Sequence, residues 1–207
     1  MAFIRSYRPG DRAAVFDICV RTADVGRDSR HLYPDSELVP SIFAAPYVEL
    51  EPELAFVLDD GEGRAVGYVL GAEDTPRFVA AFRRDWLPLV GERFPAPGED
   101  VGTRTPSEVM AGLLHDPERM VVPELVDHPA HLHIDLLPEW QGKGYGRALI
   151  LALLEALRGK GVGAVHLSML TANTGARAFY DRVGFYEIDV PGADAGEVTY
   201  LGRSTGV

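Results

Sequence analysis

The sequence predicts an α/β (α+β) fold, one mixed β-sheet with helices on both faces. Three observations carry that expectation. Predicted elements run β-α-α-β-β, then an insertion, then β-α-β-α-β-β, an order that suits a mixed sheet. A strand, a glycine-rich turn and a helix follow one another directly between His131 and Gly159. The 207 residues are 46% apolar and 25% charged, which suits one well-buried domain.

Taken in order, Ile4 to Arg8 reads as a strand that turns at Pro9-Gly10-Asp11, with Asp11 a candidate N-cap. Val15, Ile18, Cys19 and Thr22 recur at helical spacing over residues 11–24. Residues 25–35 are loop-like, and a short helix at Ser36–Ala44 is expected to end at Pro46. Two β-rich runs, Leu54–Leu58 and Arg64–Gly71, flank Asp59-Asp60-Gly61-Glu62-Gly63 and predict a hairpin. Residues 75–90 read as a helix with Phe78, Phe82, Trp86 and Leu89 on one stripe. Gly91–Pro106 reads as a loop, and Ser107–His115 as a helix with Ser107 as its cap.

His131–Leu137 alternates as a strand. A helix carrying Leu149, Leu153, Leu154 and Leu157 then ends at Gly159. Val162–Leu170 is a strand, and Asn173 caps a helix that runs through Val183 and stops at Gly184. Phe185–Val190 and Glu197–Arg203 are last strands joined by Pro191-Gly192. With no repeat or linker, residues 1–207 are expected to form a single domain, with 72–128 a helical insertion between the third and fourth strands that shapes an acceptor pocket or an interface.

The net charge of −11 argues against nucleic-acid binding. It would favour a cationic acceptor, an amine or a Lys/Arg-rich peptide, though solubility alone also accounts for it. No apolar run is long enough to span a bilayer, and the N-terminus lacks signal-peptide character. Cys19, the single cysteine, excludes an intrachain disulfide and fits a reducing compartment, so a cytoplasmic location is expected. It lies in the apolar stripe of the first helix and reads as packing.

The chemistry concentrates in Gln141-Gly142-Lys143-Gly144-Tyr145-Gly146-Arg147, which opens a helix. Unpaired N–H groups at a helix start bind anions, and glycines let a phosphate approach closely. A P-loop would need Ser/Thr after the lysine, and a dinucleotide fold a different glycine spacing and an acidic strand end, so both fit poorly. On the glycines alone, a ligand-free connection is as acceptable as a pyrophosphate site. Gln141-x-x-Gly144-x-Gly146, however, resembles the Gln/Arg-x-x-Gly-x-Gly/Ala signature of the GNAT acyltransferase superfamily, and Asn173-x-x-Ala176-x-x-x-Tyr180-x-x-x-Gly184-Phe185 resembles that family's later motif. Tyr7-Arg8-Pro9, the hairpin and the Phe78–Trp86 helix also resemble the acetyltransferase-like C-terminal domain of O-GlcNAcases.

The resemblance implies a GNAT-like acyl-CoA N-acyltransferase fold and transfer of acetyl from acetyl-CoA to an amine in a ternary complex. A non-catalytic acetyl-CoA-binding sensor or docking module is the alternative. Backbone N–H groups of Gly142, Lys143, Gly144, Tyr145, Gly146 and Arg147 would hold the pyrophosphate. Leu136 and Leu137 would pair with the pantetheine arm, and an N–H near Leu136 would face the thioester oxygen. Asn173 would bind cofactor, cap its helix, or both. Tyr180 would assist the departing thiolate by hydrogen bond or as an acid.

His131, His133 and Asp135 alternate onto one strand face, and Asp135 and His133 are the candidate bases. With His128 they would alternatively suggest zinc, but ligand spacing is otherwise missing, and no metal is expected. His131 reads as part of a hydrogen-bonded polar row. The partners implied are acetyl-CoA and a small amine or lysine-containing peptide, with a homodimer left open. Tyr33, Tyr47 and Trp86 are positional guesses for an acceptor pocket.

Overall fold

Short apolar runs give β1 (Phe3–Ser6), β2 (Ala55–Asp59), β3 (Ala65–Ala72), β4 (Ala130–Leu136), β5 (Ala164–Leu170), β6 (Tyr186–Ile188) and β7 (Val198–Ser204), with an aspartate- and glycine-rich turn joining β2 to β3. They form one mixed sheet in the order β1-β2-β3-β4-β5-β7-β6. The computed structural model describes residues 1–98 and 101–206. The helices are α1 (Arg12–Thr22), α2 (Pro40–Phe43), α3 (Ala45–Leu50), α4 (Thr75–Ala81), α5 (Leu87–Val90), α6 (Pro106–His115), α7 (Tyr145–Gly159) and α8 (Thr174–Arg182).

Successive side chains of β3 face opposite sides of the sheet, and this puts α1 and α7 on opposite faces. A Cβ at Gly71 would sit 2.7 Å from Leu153 of α7, so glycine there lets the helix press onto the strand. Tyr68, on the other face, reaches Cys19 of α1. Leu149, Ile150, Leu153, Leu154 and Leu157 form the buried side of α7, each contributing roughly 1.5–3 kcal/mol by leaving water. At the sheet edge, Arg5 donates to Asp59 at 2.8 Å and to Asp11 at 2.7 Å, pinning β1 to β2 and to the turn before α1.

Several local expectations change. Asp11 does not cap α1 with its side chain; the carboxylate turns back to accept the Arg8 N–H at 2.8 Å. Pro46 does not end the second helix but sits in the first turn of α3, where a missing N–H costs nothing. The α4 stripe passes through a π-helical turn, Phe82–Trp86, that resets the register. Phe78, Phe82 and Trp86 stay buried, while Leu89 is 74% exposed. Thr105, not Ser107, caps α6, in a reciprocal box with Glu108.

One feature of the sheet positions the site. β4 pairs with β3 from His131 to Leu136, and β5 pairs with β7 along its whole length. Yet β4 and β5, which run parallel, are joined only at Ala130–Val165 and His131–His166. Beyond that point they part, and the sheet opens into a wedge.

Candidate active site

The wedge widens into a cleft of about 1030 Å³ between α1, α7 and α8. Its walls bring together His133, Asp135, Leu136, Gln141, Gly142, Gly144, Gly146, Arg147, Asn173 and Tyr180. Leu137, Lys143 and Tyr145 do not line it. The Lys143 ammonium lies 5.4 Å over the Trp140 ring, and Tyr145 packs against the same ring.

The turn entering α7 is left-handed at Gly142 (φ +68°) and Gly144 (φ +85°). An added Cβ at either would meet no atom within 4 Å, so glycine is needed there for conformation. Gly146 is different: its Cβ would lie 3.1 Å from the Phe179 ring, so glycine lets α8 close on α7. The Gln141 side chain donates to the Leu136 carbonyl at 2.8 Å and ties the turn to the end of β4. As in any helix, the first N–H groups of α7 have no intrahelical acceptor.

The register assigns the free edge of β4. Leu137 donates its N–H to Val66 at 3.1 Å, and its carbonyl accepts from Trp140. Both backbone groups are thus used and its side chain is buried, which corrects the expectation that Leu137 would pair with a cofactor arm. Antiparallel pairing alternates, so the N–H groups of Ile134 and Leu136 point away from β3 into the wedge.

His131, His133 and Asp135 share the α1 face of the sheet, opposite Ala72, Leu70 and Tyr68. Burial pushes the Asp135 carboxyl up to about 6, although a 2.7 Å hydrogen bond from Tyr68 Oη moderates the rise. Burial, reinforced by the Arg119 charge, brings His133 down to about 4, and burial, reinforced by His166, His133 and Arg119, holds His131 well below the usual imidazole range. Tyr180 is pushed up, first by burial and then by the Asp135 charge. Cys19, buried against the same carboxylate, is also pushed up and is no nucleophile.

A chain of hydrogen bonds fixes the imidazole tautomers. Thr75 Oγ1 lies 2.8 Å from the Pro129 carbonyl, which only accepts, so the hydroxyl proton points there. Thr75 Oγ1 must then accept from His131 Nδ1 at 2.9 Å. A neutral His131 therefore has a bare Nε2, which accepts from Tyr47 Oη at 2.9 Å. That leaves Tyr47 Oη to accept from His133 Nε2 at 3.0 Å. His133 Nδ1 consequently carries the lone pair. Tyr47 is locked by stacking on Phe78, ring centroids 4.5 Å apart.

Both nitrogens of His131 are engaged, and His128 Nε2 lies 2.6 Å from Tyr186 Oη. Among the described residues no group of three His, Cys, Asp or Glu side chains is arranged to hold a metal. Asn173 Oδ1 caps α8 by accepting from Ala176 N–H at 3.0 Å, which leaves its amide NH2 for the cleft. Of the guessed pocket aromatics, Tyr47 borders a second cavity, of about 340 Å³. Trp86 is spent on the Ser41 carbonyl at 2.8 Å, and Tyr33 lies in the core. Sequence reasoning missed Tyr68, Thr75 and Arg119, whose surroundings come from segments far away in the chain.

Among the described residues no helix is long and apolar enough to cross a membrane. Residues 110–185 match the family model described as Acetyltransferase (GNAT) family. The crystal structure of a protein called SsHAT is 64% identical, with a TM-score of 0.93, and the alignment covers 100% of this chain and 99% of that one. Protein O-GlcNAcase of Rattus norvegicus is 26% identical over 97% of this chain, which spans only 22% of that protein's length. The [ribosomal protein bS18]-alanine N-acetyltransferase of Haemophilus influenzae is 35% identical over 66 residues, 32% of this chain and 44% of that enzyme. With the mixed sheet, the split between β4 and β5 and the left-handed glycine turn that opens α7, these similarities show that the chain belongs to the GNAT acetyltransferase family.

Proposed function

We propose that the chain is an acetyl-CoA-dependent N-acetyltransferase that acetylates an amine by direct attack in a ternary complex. Residues 1–207 act as one domain, with the helices between β3 and β4 forming its acceptor side. The observation that carries this reading is a single cleft joining the left-handed glycine turn at the start of α7 to an unpaired strand edge and three candidate catalytic side chains.

The residues present suit the cofactor. The open backbone of Gly142–Arg147 at the positive end of α7 fits a pyrophosphate. The free edge of β4 fits an amide-bearing arm, which would lie along it like an added strand. Bound there, acetyl-CoA supplies an activated acetyl group. The Leu136 N–H then faces the thioester oxygen and stabilises charge developing on it.

Asp135, held by Tyr68, takes the proton that the acceptor nitrogen must lose. A carboxyl near 6 is both ionised and usefully basic at neutral pH. His133 offers its bare Nδ1 to a second N–H of the acceptor. Tyr180 keeps its proton, because burial raises it, and donates a hydrogen bond to the departing sulfur. The sulfur's proton comes from the acylated nitrogen. The C–N bond forms as the C–S bond breaks, and one proton is released overall.

The similarity to one stretch of O-GlcNAcase favours a second reading, a module that binds acetyl-CoA without turnover. Calorimetric titration of acetyl-CoA into wild type and Gly144→Trp, followed by an amine-panel assay, tests both. Micromolar binding lost in a folded Gly144→Trp variant, with turnover of an amine, is expected. Binding without turnover leaves the second reading, and no binding to wild type overturns both.

A further inference from the structure

Beside the main cleft lies the second chamber of about 340 Å³, under α2, α3 and the Pro117–Met120 turn, where β4 and β5 begin to part. His133 and Phe43 border both spaces, so the chamber abuts the candidate bases. Arg119 lines it and is otherwise unexplained. Its guanidinium is half-buried, and among the described residues no carboxylate pairs with it. Asp116, exposed at the surface, acts on it at longer range together with Tyr47 and Tyr200. Its chain neighbour Glu118 is taken by Arg83. Burying a charge without a partner is costly, and burial accordingly lowers the Arg119 pKa. The chamber's three imidazoles, His131, His133 and His166, are all driven toward the neutral form by burial. Arg119 is therefore the cation this space presents.

We propose that the second chamber receives the acceptor and that Arg119 holds a carboxylate on it, making the substrate an amine that carries a carboxylate group. The inference rests on the acetyltransferase reading and names its acceptor. A planar guanidinium fork matches a carboxylate in shape, and one cation matches one negative charge, whereas a phosphate dianion would call for more. With the carboxylate at Arg119, the amine reaches past Phe43 and His133 into the main cleft. The expectation of a cationic acceptor, drawn from the net charge of −11, gives way locally. Surface charge is screened within about 8 Å at physiological salt, while Arg119, recessed in the chamber wall, acts at short range. Carboxylate binding would also neutralise the charge that depresses His133, making its Nδ1 a better acceptor when substrate is present.

The test compares matched acids and amides as acceptors, measuring thiol release from acetyl-CoA. The pairs are glycine with glycinamide, β-alanine with β-alaninamide, and γ-aminobutyrate with its amide. At least one acid should exceed its amide in kcat/KM by roughly 10- to 100-fold. Arg119→Gln should bring that pair to within about threefold, and Arg119→Lys should retain part of the preference. Circular dichroism and acetyl-CoA titration check that the variants are folded. Equal rates for every pair in wild type, or a preference that survives Arg119→Gln, overturn the proposal. A calorimetric titration of N-acetylglycine against N-acetylglycinamide decides it if nothing is turned over. The acid binding wild type but not Arg119→Gln supports the site even if acetyl-CoA does not bind and the acetyltransferase reading falls. Failure of the acid to bind wild type overturns the site.

Discussion

Asp135→Asn should make the protein more stable and less active, and the stability gain should depend on pH in a defined way. In the folded chain the carboxyl holds its proton up to about pH 6, whereas an unfolded aspartate releases it near about 3.9. Between those values the native state binds more protons, so the free energy of unfolding falls as pH rises. The stabilisation is complete below about pH 3.9 and lost above about 6. Raising a carboxyl over that interval corresponds to roughly 3 kcal/mol. Asn preserves the shape and still accepts the 2.7 Å hydrogen bond from Tyr68, but it never ionises. Urea unfolding from pH 4 to 7.5 should therefore find Asp135→Asn more stable by up to about 3 kcal/mol at pH 7.5, with the difference vanishing near pH 4. Acetyl transfer should fall by about 10²- to 10⁴-fold, and the acid limb of the wild-type kcat/KM profile should lie near 6. A stability difference that does not change with pH, or a variant less stable at pH 7.5 than wild type, would refute the reasoning.

Three further outcomes are expected. Tyr47→Phe removes the link between His131 and His133 and leaves a bare buried Nε2, so it should destabilise by about 1–3 kcal/mol and reduce kcat, read by thermal unfolding and steady-state kinetics. Tyr180→Phe should lower kcat by roughly tenfold, the worth of one hydrogen bond, with acetyl-CoA affinity nearly unchanged by calorimetry. Gly202→Ala would drive a Cβ to 2.6 Å from His128 Nε2 and 2.7 Å from Ile188 Cδ1; a loss of about 1–3 kcal/mol from overpacking should appear in denaturant midpoints.

The sequence by itself determined the elements and the turn. Helical spacing in Leu149–Leu157, alternation in His131–Leu137 and glycines at residues 142, 144 and 146 are local signals. They set which side of a helix is apolar and where the backbone must go left-handed, and the structure has them so. The π-helical turn at Phe82–Trp86 and the role of Pro46 were less legible, because tertiary packing selects among local conformers of similar energy. What only the tertiary structure decided is the parting of β4 from β5, since strand pairing between positions as far apart as Ala130 and Val165 leaves no mark in either strand's own alternation. That parting creates the cleft and leaves the Leu136 N–H open, while bonds to Val66 and Trp140 withdraw Leu137 from it. The character of each polar group was decided there too. His133 and Asp135 are neighbours on a strand whose ordinary pKa values would make one mostly neutral and the other fully ionised near pH 7. Burial shifts them in opposite directions, because the desolvation that disfavours a cation on one disfavours an anion on the other. Arg119 gives no local signal at all: its significance comes from the imidazoles gathered around it by folding and from the absence, among the described residues, of a carboxylate paired with it.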